Sequence, residues 1–207
     1  MPLTVAGRTD AGVHAMGQVA SVELDPVPEA LPPRLNDLLP DEIVVWSAEA
    51  APDGFDARRD ARSRVYRYRV HTAPMPSPFE RGRALFWPHR LDRDALDACA
   101  AALAGSHDFT AFTPTETSHQ RFERDVLRAE WIAEPLEPPH PGELLELWIE
   151  ADSFMRHMVR ILVGTMLEVG GGRRPIEDFT RLLDGASRRG AGPTAQAHGL
   201  YLAAVRY

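Results

Sequence analysis

Arg8 and Asp10 stand two residues apart in the stretch Gly7-Arg8-Thr9-Asp10-Ala11-Gly12-Val13-His14-Ala15, directly after the apolar run Leu3-Thr4-Val5-Ala6. Glycines on both sides of the charged pair permit a tight backbone path. A carboxylate on such a loop, beside a guanidinium, can be held ionised and aimed at a substrate. Two roles fit that pattern: a structural ion pair that closes a turn, or a nucleophile.

A second constellation is Arg156, His157 and Arg160, set among Met155, Met158, Val159, Ile161 and Leu162. An arginine in such an apolar helix either snorkels to solvent or pairs with a buried acid. On the second alternative, Arg160 is a partner for a carboxylate such as Asp10. The third is Tyr66 and Tyr68, alternating with Arg67 and Arg69. Strand alternation places the tyrosines on one face and the arginines on the other. The tyrosines suit either a sheet-core position or an aromatic platform for a base. Six arginines (58, 59, 62, 64, 67 and 69) against one acid, Asp60, give this segment +5, which leaves −12 of the overall −7 for the remainder. All 23 basic residues are arginine, whose planar fork suits phosphate and stacks on bases. The cluster therefore reads as either a solvated strand face or a phosphate-binding surface.

Other chemistries find no support. His14, His107, His119, His140 and His157 lack metal-ligand spacing, and Cys99 is the single cysteine, so no zinc site is expected. Gly170-Gly171-Gly172 follows a helical stretch and lacks a Lys-Ser/Thr ending, so it reads as a helix C-cap rather than a phosphate loop. His107-Asp108 reads as a helix exit. No Gly-x-Ser-x-Gly elbow occurs. Neither a metal nor an organic cofactor is implied.

These residues need a framework. Strands are expected at 3–6, 19–24, 43–47, 65–71, 126–132, 144–151 and 200–205, the pair 126–132 and 144–151 forming a hairpin across the turn cluster 138–142. A helix capped by Asp92 runs to about residue 104 with Leu96, Ala100 and Leu103 as its apolar stripe. The longest helix spans 154–169, a third spans 175–184, and 32–39 forms a short one. Hairpins mixed with helices, without strict alternation, indicate an α+β fold with a largely antiparallel sheet. The chain has 207 residues, 44% hydrophobic and 26% charged, as expected of a soluble globular protein. No apolar run is long enough to span a membrane, and no secretory signal follows Met1, so a cytoplasmic protein without membrane contact is expected. Cys99 lies in an Ala-rich helical pattern and reads as a small buried hydrophobe.

Taken together, the motifs resemble the tRNA pseudouridine synthase A family over essentially the whole chain. Gly7-Arg8-Thr9-Asp10-Ala11-Gly12-Val13-His14 is similar to its catalytic motif, with Asp10 on the nucleophile. Arg64-Val65-Tyr66-Arg67-Tyr68 is similar to its second motif, with Tyr66 on the base-stacking tyrosine. Phe154 and Arg156-His157-Met158-Val159-Arg160 with Gly164 resemble the third, where Arg160 falls on the partner of the nucleophile. His107-Asp108-Phe109-Thr110-Ala111-Phe112 is also typical, and Gly199-Leu200-Tyr201-Leu202 resembles the closing strand. Residues 55–59, with Phe55, Arg58 and Arg59, and residues 118–122, with Arg121, fall on tRNA-contacting segments.

The resemblance implies a pseudouridine synthase fold, a mixed, mostly antiparallel sheet flanked by helices, in two ferredoxin-like halves at about 1–90 and 91–207. It implies isomerisation of uridine at positions 38, 39 and 40 of the tRNA anticodon stem-loop, without cofactor, by a homodimer in the cytoplasm. Asp10 would attack C1′ of the ribose or C6 of the base, Tyr66 would stack on the uracil and assist proton removal from C5, and Arg8 would hold the target nucleotide out of its stack. The family carries a further strand and helix before the catalytic motif, whereas this chain starts in the strand that follows them. A sheet edge and apolar surface are therefore expected to be exposed, and the alternative is a catalytically impaired truncated synthase that binds tRNA or a full-length protomer without turnover.

Overall fold

The computed structural model describes residues 3–26, 28–117, 119–136 and 142–207. Its centre is strand β4 of the sheet, and the strands and helices are numbered here in chain order: β1 (Leu3–Val5), β2 (His14–Ala15), β3 (Ala20–Val22), α1 (Leu31–Asn36), β4 (Ser63–Thr72), β5 (Leu85–Trp87), α2 (Arg93–Ala102), β6 (Gly105–Asp108), β7 (Glu123–Pro135), β8 (Glu143–Ala151), α3 (Met158–Gly170), α4 (Ile176–Arg181) and β9 (Leu200–Arg206). The seven-stranded sheet runs β2-β9-β4-β8-β7-β6, with β5 added along the second half of β4. All its pairings are antiparallel except β2 with β9 and β4 with β5. β1 and β3 form a separate antiparallel pair. The α+β reading and the β7–β8 hairpin are borne out.

The alternation in β4 sorts its side chains as expected. Tyr68 and Val70 are fully buried on the inner face, beside Leu145, Leu147 and Ile149 of β8. Helices α2 and α3 close over this face with Leu96, Cys99, Met158, Leu162 and Met166. α3 is apolar on nearly every side, which is the pattern of a helix buried all round. Each large side chain sealed there contributes roughly 1.5–3 kcal/mol. Asp92 caps α2 by accepting the Ala95 N–H at 3.1 Å, and Gly170 lets α2 and α3 approach, because a Cβ there would press on the Leu96 side chain.

Three expectations change. Residues 43–47 join no sheet; the Asn36 side chain instead brackets Val45, donating to its carbonyl at 3.0 Å and accepting its N–H at 2.7 Å. Those two bonds satisfy the backbone where a neighbouring strand would have done so. His107 and Asp108 are not a helix exit but the end of β6, paired with β7. Asp108 then accepts from both Thr110 N and Thr110 Oγ1. The long helix begins at Met158, not at 154, because His157 takes left-handed dihedrals (φ 60°, ψ 2°) that break the helical path. Of the turn cluster 138–142, only Gly142 is among the described residues; its φ is +93°. Leu3 and Val22, on the β1–β3 pair, are exposed.

Candidate active site

The Asp10 loop lies between β1 and β2 and is pinned at several points. Gln18 brackets Gly7, donating to its carbonyl at 2.7 Å and accepting its N–H at 3.3 Å. The Val13 N–H donates to the Asp10 carbonyl at 3.0 Å, and Gly12 sits at φ +82°, a conformation that favours glycine. Beyond the turn, the Met16 and Gly17 N–H groups both reach the Leu202 carbonyl. His14 stacks on Tyr201 at 4.5 Å and places Nε2 2.9 Å from the Gly82 carbonyl. A loop held at both ends keeps its carboxylate in one place.

That carboxylate meets the third motif. Arg160 Nη1 donates to Asp10 Oδ2 at 2.9 Å, and His157 Nε2 lies 3.2 Å from the same oxygen. Asp10 keeps about a third of its side chain exposed, while Arg160 is mostly buried. Arg160 is fixed in turn by a strap at residues 191–199. Its Nε donates to the Ala195 carbonyl at 2.8 Å, and the Ala195 N–H returns a bond to the Arg160 carbonyl at 3.0 Å. The strap lies flush on α3, where Gly192 N donates to Thr165 Oγ1 at 2.9 Å. A Cβ on Gly164 would collide with the Pro193 carbonyl oxygen. Burial holds the His157 imidazole below its usual titration range; Asp10 pulls the other way, and Arg160, Arg156 and Arg188 add to the lowering. The imidazole is therefore neutral near pH 7, and it stands beside Asp10 as an uncharged neighbour at ion-pair distance.

The two tyrosines part company. Tyr66 packs edge-on against Phe154, with ring centroids 4.9 Å apart, and a Cβ on Gly7 would come within 3.6 Å of its hydroxyl and of Leu202. Burial raises the Tyr66 phenol, Arg64 opposes that, and Asp10 adds to it, so Tyr66 is neutral and within electrostatic reach of the carboxylate. Tyr68 is sealed in the core, its hydroxyl donating to the Gln196 carbonyl at 2.8 Å. Burial also pushes the Cys99 thiol up to about 12, as expected of an inert core cysteine.

The arginine cluster divides between the two faces of the sheet. Arg67 and Arg69 both contact Glu146 Oε1, at 3.3 and 3.0 Å, and Arg69 also pairs with Glu80. The Arg67 guanidinium lies 4.8 Å from the Tyr201 ring centre. These two charges are spent within the fold. Arg64 is a hub: its guanidinium donates to the carbonyls of Ala6, Arg58, Ala61 and Asp152, tying the Asp10 loop to the segment before α3. Arg58, Arg59 and Arg62 are exposed. With Arg8, Arg64, Asp56 and Ser153, Arg58 and Arg59 line an open cleft of about 690 Å³ that begins two residues from Asp10. Asp56 Oδ1 accepts the Arg58 and Arg59 N–H groups, at 2.9 and 2.8 Å, and presents both side chains outward. Phe55 is half-buried against Tyr207. Arg121 is exposed on the loop before β7, which lies close to Arg58, since Arg124 and Arg58 both add to the lowering that burial imposes on His119. Ser118, in the same loop, is outside the described residues.

Asp10, Arg160 and Tyr66 thus come together, while Arg8 lies with Arg58 and Arg59 along the cleft. Three features were not legible in the sequence: the contact of His157 with Asp10, the Arg64 hub and the 191–199 strap. His157 beside Arg160 was the one available signal. Among the described residues no group of three His, Cys, Asp or Glu could hold a metal ion, and no helix is long and apolar enough to cross a membrane.

Residues 99–207 match the family described as tRNA pseudouridine synthase. A curated tRNA pseudouridine synthase A of Thermus thermophilus is 45% identical over 207 residues, covering 98% of this chain and 79% of the relative. That of a Roseiflexus species is 44% identical over 211 residues, covering 99% and 75%. The Bacillus subtilis protein of the same name is 38% identical over 209 residues, covering 100% and 82%. With a family match over more than half its length and relatives of this similarity along all of it, the chain belongs to the tRNA pseudouridine synthase family.

Proposed function

We propose that the chain is a tRNA pseudouridine(38–40) synthase, an isomerase acting on uridines of the anticodon stem-loop, with Asp10 as covalent nucleophile. The observation that carries this reading is the Asp10–Arg160 pair at 2.9 Å beside Tyr66, on a loop whose Arg8 lines an arginine-bearing cleft. The reaction breaks the N1–C1′ bond, turns the base and joins C5 to C1′, while the C5 hydrogen leaves as a proton. Nothing is oxidised, and no group is imported.

Each residue has a defined task on this reading. Arg160 orients Asp10 and sets a positive charge against it once substrate excludes water. Tyr66, a neutral phenol, offers its ring to the uracil. A stem uridine must leave its stack, at a cost of a few kcal/mol, and Arg8, which lines the cleft, holds the extruded nucleotide. Phe55, Arg58, Arg59 and Arg121 bind the anticodon arm, the arginines through backbone phosphates. The enzyme works in the cytoplasm as a homodimer.

Tritium release from tRNA carrying 5-tritiated uridine tests this directly. Asp10→Asn is expected to abolish release while tRNA binding stays largely intact. Substantial turnover by that variant would overturn the nucleophile assignment. Binding of tRNA without release by the unsubstituted chain would replace catalysis with binding as the activity.

A further inference from the structure

We propose that His157 is a positioning residue for Asp10: its Nε2–H and the Arg160 guanidinium both occupy Oδ2, so that Oδ1 is the oxygen that bonds to the substrate. The inference rests on Asp10 being the nucleophile and deepens that reading.

A free carboxylate has two equivalent oxygens, and only its surroundings distinguish them. Here Arg160 Nη1 and His157 Nε2 approach the same one, at 2.9 and 3.2 Å. Among the described residues, no donor contacts Oδ1. Two donors on Oδ2 draw its lone pairs away from reaction and fix the plane of the group, leaving Oδ1 the better nucleophile.

His157 is built to be there. It is in the left-handed region at φ 60°, which L side chains rarely adopt. Such strain persists only where neighbours over-determine it. Those neighbours are present: Thr113, itself buried, donates from Oγ1 to the Arg156 carbonyl at 3.2 Å, Met158 N donates to the Met155 carbonyl, and the His157 carbonyl accepts Ile161 N at 3.0 Å. The kink turns the imidazole from the helix entrance onto Asp10. An ionised carboxylate only accepts, so the nitrogen facing it must carry the hydrogen. A neutral His157 is therefore the Nε2–H tautomer.

The covalent step is balanced for either target. At C1′, the Oδ1–C1′ bond forms as N1–C1′ breaks, and the electron pair leaves on the uracil N1. At C6, Oδ1 adds to the ring, and the C5–C6 π pair moves onto O4 as an enolate. On the first route C5 then attacks C1′ as the Oδ1–C1′ bond breaks; on the second N1–C1′ breaks with its electron pair on N1, the enolate carbon C5 joins C1′, and Oδ1 leaves C6 as the C5–C6 double bond re-forms. On both, the C5 proton passes to water, N1 takes a proton up from water, and Asp10 returns as a carboxylate with Oδ2 held throughout.

The test compares His157→Gln, which keeps an N–H donor at similar reach, with His157→Leu, of similar bulk but without one. Neither is β-branched, so both face the same left-handed strain. His157→Leu should lower kcat for tritium release about 10- to 100-fold, the worth of one hydrogen bond to a charged group, with KM for tRNA nearly unchanged. His157→Gln should recover most of that loss. Equal losses in both variants, or a normal kcat in His157→Leu, would overturn the proposal while leaving an inactive Asp10→Asn, and hence the nucleophile reading, intact. Turnover by Asp10→Asn would sink both. A readout independent of turnover is the two-bond proton–nitrogen NMR spectrum of the imidazoles at neutral pH, with the His157 signals assigned from His157→Gln. The Nε2–H tautomer is expected, and an Nδ1–H tautomer would overturn the proposal.

Discussion

Asp10 and Arg160 are 150 positions apart in the chain and 2.9 Å apart in space. Each residue was readable as chemistry from its own neighbourhood, but their meeting was not. The sequence left Arg160 as either snorkelling or paired, and its two bonds, to Asp10 and to the Ala195 carbonyl, decide for pairing. Arg160→Met keeps the apolar stem and removes the cation. It should fold and lose about 100- to 1,000-fold in kcat, as expected when a charge-stabilising donor is removed from an active site. Normal tritium release by this variant would refute the role. His157 supplies a second expectation at this scale. Burial is the main cause of the lowered pKa of both His157 and His119. A histidine whose folded pKa lies below its unfolded one contributes stability that is fully present above about pH 6.5 and lost as pH falls through the folded value. The melting temperature should therefore fall between pH 7.5 and 5.5, and His157→Gln should flatten part of that slope. Asp56 and Asp60 are also lowered, chiefly by backbone N–H donors, but as carboxylates they add stability that is lost only below about pH 4. They cannot produce the same slope.

The elements show where pattern reading succeeds and where it stops. Period-two alternation placed β4 and its faces, because a strand's side chains are sorted by geometry alone. Capping chemistry placed the start of α2 at Asp92. The start of α3 escaped, since the apolar spacing continues through residues 154–157 while the backbone turns at His157. Segment 43–47 escaped because a side chain, Asn36, took the place of a strand. The strap at 191–199 escaped for a related reason: it carries little periodic signal, yet its carbonyls hold Arg160 and Tyr68. Gly164 allows that strap to lie on the helix backbone. In Gly164→Ala the new methyl meets the Pro193 carbonyl, and the strap must move. The expected cost is about 1–3 kcal/mol in thermal or urea unfolding. Activity should fall beyond what stability explains, because the Ala195 carbonyl leaves Arg160. A variant with unchanged unfolding and kcat would show that the strap is not held by this contact.

Across the whole molecule, charge distribution outweighs net charge. The chain carries −7, yet Arg8, Arg58 and Arg59 line one cleft beside the Asp10 loop. Replacing all three by glutamine should make the log–log salt dependence of tRNA binding shallower by roughly 2–3, close to one for each phosphate that is no longer neutralised. Fluorescence anisotropy with labelled tRNA across a salt series measures this, and an unchanged slope would remove the cleft from the binding surface. The sequence by itself determined the α+β class, the core faces of β4 and α2, and the residues with chemical potential, because alternation, helical spacing and capping act between near neighbours. Only the tertiary structure decided which arginines stay available. Arg67 and Arg69 are paired with Glu146, Arg64 is given over to backbone carbonyls, and Arg8 and Arg58 line the open cleft beside Arg59, which is itself paired with Asp60 and donates to the Gly54 carbonyl. It also decided that Asp10 has Arg160 and His157 as partners. Those outcomes depend on which distant backbone groups and carboxylates the packed sheet and helix bring within about 3 Å, the range over which hydrogen bonds and close ion pairs form.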